Sequence, residues 1–190
     1  MTFESNGFIN FLNTASSLSN ATKFDLKNCL STLSVDKGDT LLQQEQIGRY
    51  LYFVNQGLLR VFYYIDGRDV TQYFATELHI VGAIESFFLQ QPSRKIIEAL
   101  EPCQLTALSY GDLEMLCHRH HDFERVCRML SNQAFLSMQN RLFSVQFHSA
   151  KQRYAQLLES NPLIFQRASL GHIASYLGMT QVTLSRIRSL

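Results

Sequence analysis

The chain has 190 residues, 46% of them hydrophobic and 17% charged, with a formal net charge of +1. Only 12 residues are Gly or Pro, so a collagen-like or low-complexity chain is excluded, and the apolar fraction argues against disorder. No apolar run approaches the roughly 18 residues of a spanning helix.

The opening stretch, Met1 to Asn10, carries Glu4 and no basic residue. It lacks the positive start of a secretory leader, so a cytoplasmic location is expected. The cysteines, Cys29, Cys103, Cys117 and Cys127, form no CxxC pair and fit reduced, mostly buried thiols. The mean charge hides an asymmetry. Residues 1–150 hold 12 Lys/Arg against 15 Asp/Glu, whereas residues 151–190 hold 5 against 1. A short basic tail on a mildly acidic body suggests an anionic partner for the tail. Forty residues are marginal for an independent core, so the tail should lean on the rest.

Residues 5–33 read as short helices. From about Leu33 the texture changes to short runs of Tyr, Phe and Val bounded by turn signals: Lys37-Gly38-Asp39, Asn55-Gln56-Gly57 and Asp66-Gly67. The last lies between Leu58–Ile65 and Val70–Phe74 and predicts a two-residue type I′ hairpin, which needs positive φ. Lys95 to Leu108 again reads as extended, with Pro102 marking an edge or a turn. Closely spaced short strands imply a sandwich, barrel or jelly roll. From Asp122 to Ser149 there is no Gly or Pro, and Phe123, Cys127, Leu130, Ala134, Met138, Leu142 and Val145 recur at steps of three and four. That stripe predicts one long helix, packed on its own sheet or paired with its twin in a dimer seam.

The strongest signal is Leu170 to Leu190. Ser169 suits an N-cap, Gly178 a left-handed C-cap, and Thr180 a second N-cap two residues later. Two short helices joined by a tight turn make a helix-turn-helix. Ile173, Leu177, Met179, Leu184 and Ile187 would fill the wedge, with small Ala174 at the crossing. Thr180, Gln181, Val182, Ser185, Arg186 and Ser189 are left on an outer, polar or short face. Gln can pair with adenine and Arg with guanine in the major groove. Ser and Thr hydroxyls and the helix N-terminus can hold phosphate. The alternative is an ordinary helical hairpin with a solvated face.

The run Ile173-Ala174-Ser175-Tyr176-Leu177-Gly178-Met179-Thr180, followed by Thr183-Leu184-Ser185-Arg186-Ile187-Arg188, resembles the helix-turn-helix of the Crp/Fnr family of bacterial transcription regulators, and is especially similar to the short members of Bacteroidetes. Lys37–Leu42, Leu51–Gly57 and Asp66-Gly67-Arg68 resemble that family's strand signatures, in the same order. The resemblance covers roughly residues 30–190. It implies an α+β chain: an antiparallel β-roll or jelly roll of the cyclic-nucleotide-binding type with N-terminal helices over 1–121, a dimerisation helix over 122–149, and a winged-helix-like helix-turn-helix domain over 150–190. It implies double-stranded DNA, a second copy of the chain and RNA polymerase as partners. Ser169, Thr180, Gln181, Val182, Thr183, Ser185, Arg186 and Arg188 become the DNA-facing set, with Arg186 the base-reading arginine. Lys151, Arg153, Arg167 and Arg188 are phosphate candidates. Val182 stands where many members carry Glu, which changes the half-site expected, and the sequence reaches Leu190 before the larger members' β-hairpin wing, so that either such short members manage without it or the sequence is cut there.

Cyclic-nucleotide binders of this family hold ribose with a Gly-Glu pair and phosphate with an Arg-Ser/Thr pair. The matching residues here are Gly82, Glu85, Ser86, Ser93 and Arg94. Ala83 follows Gly82 where Glu is expected, and the arginine position falls on Ser93, leaving Arg94 one residue late. A cyclic nucleotide is therefore disfavoured; another small ligand in the roll, or none, stays open. Cys117-His118-Arg119-His120-His121 offers metal-ligand types without a second cluster at ligand spacing, so an exposed basic connector is the simpler reading and no metal is expected. Cys29 lacks the neighbouring cysteines an iron–sulfur sensor needs. No GxSxG, Walker loop, HExxH or Gly-rich dinucleotide turn occurs, so no enzyme is expected. Against the DNA-binding regulator stands a small-molecule receptor whose tail docks protein.

Overall fold

A computed structural model describes residues 6–189. Two helices open the chain, α1 (Asn6–Ala15) and α2 (Asn20–Cys29). The strands follow: β1 (Ser31–Val35), β2 (Thr40–Leu42), β3 (Tyr50–Gln56), β4 (Leu59–Ile65), β5 (Arg68–Ala75) and β6 (Ile80–Val81). A short helix, α3 (Ile84–Leu89), separates β6 from β7 (Lys95–Ala99) and β8 (Cys103–Ser109). The rest is helical: α4 (Tyr110–Arg119), α5 (His121–Phe147), α6 (Ala150–Ser160), α7 (Ile164–Arg167), α8 (Leu170–Tyr176) and α9 (Gln181–Arg188).

The strands form two four-stranded antiparallel sheets, ordered β1-β8-β3-β6 and β2-β7-β4-β5. The β4–β5 hairpin closes as its sequence requires. Asp66 has φ +50° and Gly67 φ +72°, with Ile65 facing Arg68. Pro102 lies in the turn between β7 and β8. Gly57, at the β3–β4 turn, has φ +109°, and a Cβ there would stand 2.9 Å from the Cys103 Cα. No side chain fits that site.

Three cores result. Between the sheets lie Val54, Leu59, Val61, Ile97 and Leu105. On the outer face of the first sheet, Phe53 and Leu108 pack with Phe8, Leu12, Leu26, Phe123 and Val126 from the helices; Phe8 stacks on Phe53 at 5.0 Å. Outside the second sheet, Leu58, Phe74 and Leu100 meet Leu157, Ile164, Ile173, Ala174, Leu177 and Leu184 of the tail. The tail leans on the roll, as its length required.

Two details differ from the sequence reading. Cys117 to Arg119 is not a connector but the last turn of α4, on which His118 and Arg119 are exposed as expected. Cys117 packs half-buried beside Cys127, and only His120 breaks the helical run, its ring nitrogen 2.9 Å from Asp25. The long helix ends at Phe147, because Ser149 caps α6 through a reciprocal box with Gln152. No helix among the described residues is long and apolar enough to cross a membrane.

Candidate nucleic-acid interface

The turn between α8 and α9 is built by its backbone. Gly178 adopts φ +64°, its N–H donates to the Ser175 carbonyl, and the Met179 N–H reaches back to the Ala174 carbonyl at 3.0 Å. Thr180 caps α9 through the Thr183 N–H, and Ser169 caps α8 through the His172 N–H. Ile173, Ala174, Leu177 and Leu184 are buried between the helices, while Met179 and Ile187 are half-buried at the rim. What remains outward on α9 is Gln181, Val182, Ser185, Arg186, Arg188 and Ser189, all exposed. Thr183 is half-buried, its hydroxyl 2.9 Å from that of Thr180. No acidic residue lies between Glu159 and the end of α9.

The face of α8 opposite α9 is docked on the roll. The Ser175 hydroxyl accepts the Thr71 N–H at 2.9 Å and donates to the Asp69 carbonyl at 3.2 Å. Tyr176 packs on Phe74 with ring centroids 5.5 Å apart, and the Arg141 guanidinium of α5 lies over the Tyr176 ring at 4.2 Å and donates to its carbonyl. Arg167 forks onto both Glu77 oxygens at 2.8 and 2.9 Å and reaches Glu101 at 2.5 Å. The guanidinium holds the Glu77 carboxyl down at about 2. Arg153 is equally engaged, donating to the carbonyls of His148 at 2.6 Å, Leu177 at 2.8 Å and Gly178 at 3.4 Å. Of the four phosphate candidates, Arg153 and Arg167 are thus tied into the protein, and Lys151 and Arg188 are exposed.

Beneath the docked helix lies a buried cation that the sequence reading passed over. Arg60 is 2% exposed; it pairs with both oxygens of Asp69 at 2.7 Å and with Glu98 at 2.6 Å, over the Phe62 ring. Two carboxylates and an aromatic face compensate its desolvation. The signal was its place in Leu58-Leu59-Arg60-Val61-Phe62, an arginine inside an apolar strand. His172 of α8 sits beside this cluster. Its Nδ1 is buried without a partner among the described residues, and burial, then Arg60, push its pKa down.

In the roll, Glu85, Ser86, Ser93 and Arg94 line one recess of about 30 Å³, with Gly82 on the neighbouring turn. Space of that size holds a water or two. Ser86 and Ser93 are buried and bonded to backbone, Ser86 to Gly48 and Gln91, Ser93 to Lys95. Glu85 and Arg94 meet at 3.6 Å across the surface. Tyr73 fills the adjoining interior, donating to the Gly82 carbonyl at 3.3 Å, and burial pushes its phenol up to about 12. These residues do not fit a cyclic nucleotide: no carboxylate follows Gly82, and Arg94 is turned out.

Along α5, Phe123 and Val126 are buried, whereas Phe135 (62% exposed), Met138 (68%), Leu142 and Val145 are open. The stripe of the sequence is therefore core as far as Leu130 and bare beyond it. Among the described residues no group of three or more His, Cys, Asp or Glu could hold a metal.

The fold defined by these features is an eight-stranded cyclic-nucleotide-binding roll joined by a long helix to a helix-turn-helix tail. Residues 32–120 match the cyclic nucleotide-binding domain family. No curated protein matches the chain. Three solved structures share the architecture. A transcriptional regulator of the crp/fnr family from Eubacterium rectale aligns with TM-score 0.72 at 20% identity, over 94% of this chain and 85% of that one. FixK2 from Bradyrhizobium japonicum aligns at 0.70 and 20%, over 84% and 83%. CLP of Xanthomonas campestris, a c-di-GMP-responsive global regulator, aligns at 0.70 and 16%, over 90% of each chain. Residues 32–120 thus match the model of that domain family, and the chain as a whole shares the fold of these three structures.

Proposed function

We propose that this chain is a sequence-specific DNA-binding transcription regulator that acts as a homodimer on RNA polymerase promoters and is not controlled by a cyclic nucleotide. The observation that carries the reading is the outer face of α9: short or polar side chains around Arg186 and Arg188, exposed, on a helix whose other side is locked into the wedge. Residues 1–121 serve as the roll with its helices, 122–149 as the dimer helix and 150–190 as the reading domain.

Arg186 pairs with a guanine edge, Gln181 with an adjacent base, and Val182 packs on a thymine methyl. The exposed N-terminal turn of α9, with Thr180, Ser185 and Arg188, and the Ser169 end of α8 position the backbone. The bare stretch of α5 from Phe135 to Phe147 pairs with its twin, so that two copies of α9 enter successive major grooves about 34 Å apart. Support for pairing is the apolar content of that stretch, which nothing in its own chain covers among the described residues.

The test is selection of binding sites from a random duplex pool by the unliganded protein at moderate salt. A two-fold symmetric motif is expected, and Arg186→Ala should cost about 1–3 kcal/mol and relax preference at one base pair per half-site. Recovery of no sequence-specific site, or equal weakening of Arg186→Ala on every sequence, overturns this assignment of α9.

A further inference from the structure

A second, larger cavity opens at the edge of the roll, away from the helix-turn-helix. Its volume is about 180 Å³, and it lies where the loop 43–49 between β2 and β3 crosses the gap between the sheets. Leu42 and Ile97 come from one sheet and Tyr52 from the other, with Ala83 and Ile47 completing an apolar floor. The rim is different. Gln46, Arg49, Tyr50 and Tyr52 bring an amide, a guanidinium and two phenols to it, and no Asp or Glu lines the cavity. The Gln46 amide oxygen is engaged with the Gln43 N–H, which leaves its NH₂. Among the described residues neither that NH₂, nor the Arg49 guanidinium, nor either phenol has a hydrogen-bond or ion-pair partner, whereas the buried arginine of the roll, Arg60, is fully paired. The cavity therefore combines an apolar lining with four residues, Gln46, Arg49, Tyr50 and Tyr52, whose donors are unused and of which Arg49 carries positive charge.

We propose that this cavity is a binding site for a small carboxylate with one ring or a compact branched alkyl group. The size sets the apolar part: a dry cavity of about 150 Å³ takes one benzene, so 180 Å³ takes a ring with a carboxylate at the rim. The donors set the head group, because a guanidinium fork matches a planar carboxylate. The site is distinct from the recess lined by Glu85, Ser86, Ser93 and Arg94, with which it shares only Ala83. It does not depend on the tail's reading DNA.

Benzoate and its neutral counterpart benzamide are the probes, titrated into the full-length ¹⁵N-labelled protein and followed by amide shifts. Saturable shifts over residues 41–52, at Ala83 and at Ile97 are expected, with benzoate at least about tenfold tighter than benzamide, the range of one charge-assisted hydrogen bond. Arg49→Gln changes an exposed side chain and should erase the preference while leaving benzamide binding intact. Leu41→Trp, at the rim, should block both. Shifts confined to the Ser86–Lys95 recess, a preference that survives Arg49→Gln, or no saturable shift at millimolar benzoate each overturn the proposal. All three readouts are independent of DNA binding, so failure of the site and failure of the regulator reading are separable.

Discussion

Replacing Arg167 with alanine isolates the contact between roll and tail. The guanidinium is 19% exposed, facing Glu77 at 40% and Glu101 at 30%. Desolvated charge-assisted hydrogen bonds contribute about 1.5–3 kcal/mol, and wet ion pairs about 0–1 kcal/mol. One cation shared by two part-exposed carboxylates falls between, so Arg167→Ala should lower the unfolding free energy by about 2 kcal/mol. Glu77→Gln should cost roughly half as much, and the double variant should show a coupling of about 1 kcal/mol. Urea denaturation at neutral pH measures all three. The Glu77 carboxyl, held near 2 by Arg167, adds a sign. Its contribution is complete above about pH 4.5, the ordinary value, and fades as pH falls toward 2. Because the fork is engaged, Arg167→Ala should leave the salt dependence of DNA binding unchanged, whereas Arg188→Ala should flatten it by about one unit. A loss under about 0.5 kcal/mol, or a flattened salt slope for Arg167→Ala, refutes the assignment of Arg167 to the interface.

Leu142→Glu with Met138→Glu should leave α5 helical and turn the protein monomeric in sedimentation, since both side chains are bare in the single chain. Gly57→Ala should destabilise by about 3 kcal/mol or prevent folding, from positive-φ strain and the Cys103 backbone at 2.9 Å; thermal denaturation reads it. His172 has its pKa depressed below the ordinary 6.5 by burial and Arg60, with Asp69 and Glu98 opposing. Stability should therefore be complete above pH 6.5 and decline below it, and His172→Gln should flatten that decline.

What was legible in the sequence was what local chemistry dictates. Asp66-Gly67 must turn with positive φ, and it does. Ser169, Gly178 and Thr180 bound their helices because a side-chain oxygen or a missing Cβ is needed at those positions. The outer face of α9 could be read because the apolar positions of α8 and α9 leave it over. Long-range pairings were hidden. Nothing in Ser175 or Arg167 announces a partner about 70 to 100 residues away, so Ser175 takes no role of its own in the motif and Arg167 reads as a phosphate contact. Residues 84–89 form a single helical turn and a half inside an apolar run, too short for a period to declare itself. The bare and buried halves of α5 share one stripe, so spacing alone could not say where the core ends.

The His148 break between α5 and α6 looks like a swivel, yet it is braced from both sides. Arg153 ties its carbonyl to the reading turn, Gln156 bonds Ser144 and His148, and Arg141 holds Tyr176 to α5. The tail is therefore tied to the end of the long helix as well as to the roll. In a dimer, the separation of the two reading heads then becomes a property of the seam itself: sliding one α5 past its twin by a residue, about 1.5 Å of rise, carries the whole head along. An operator's half-site spacing would be written in the packing of Phe135 to Phe147, far from any base it touches.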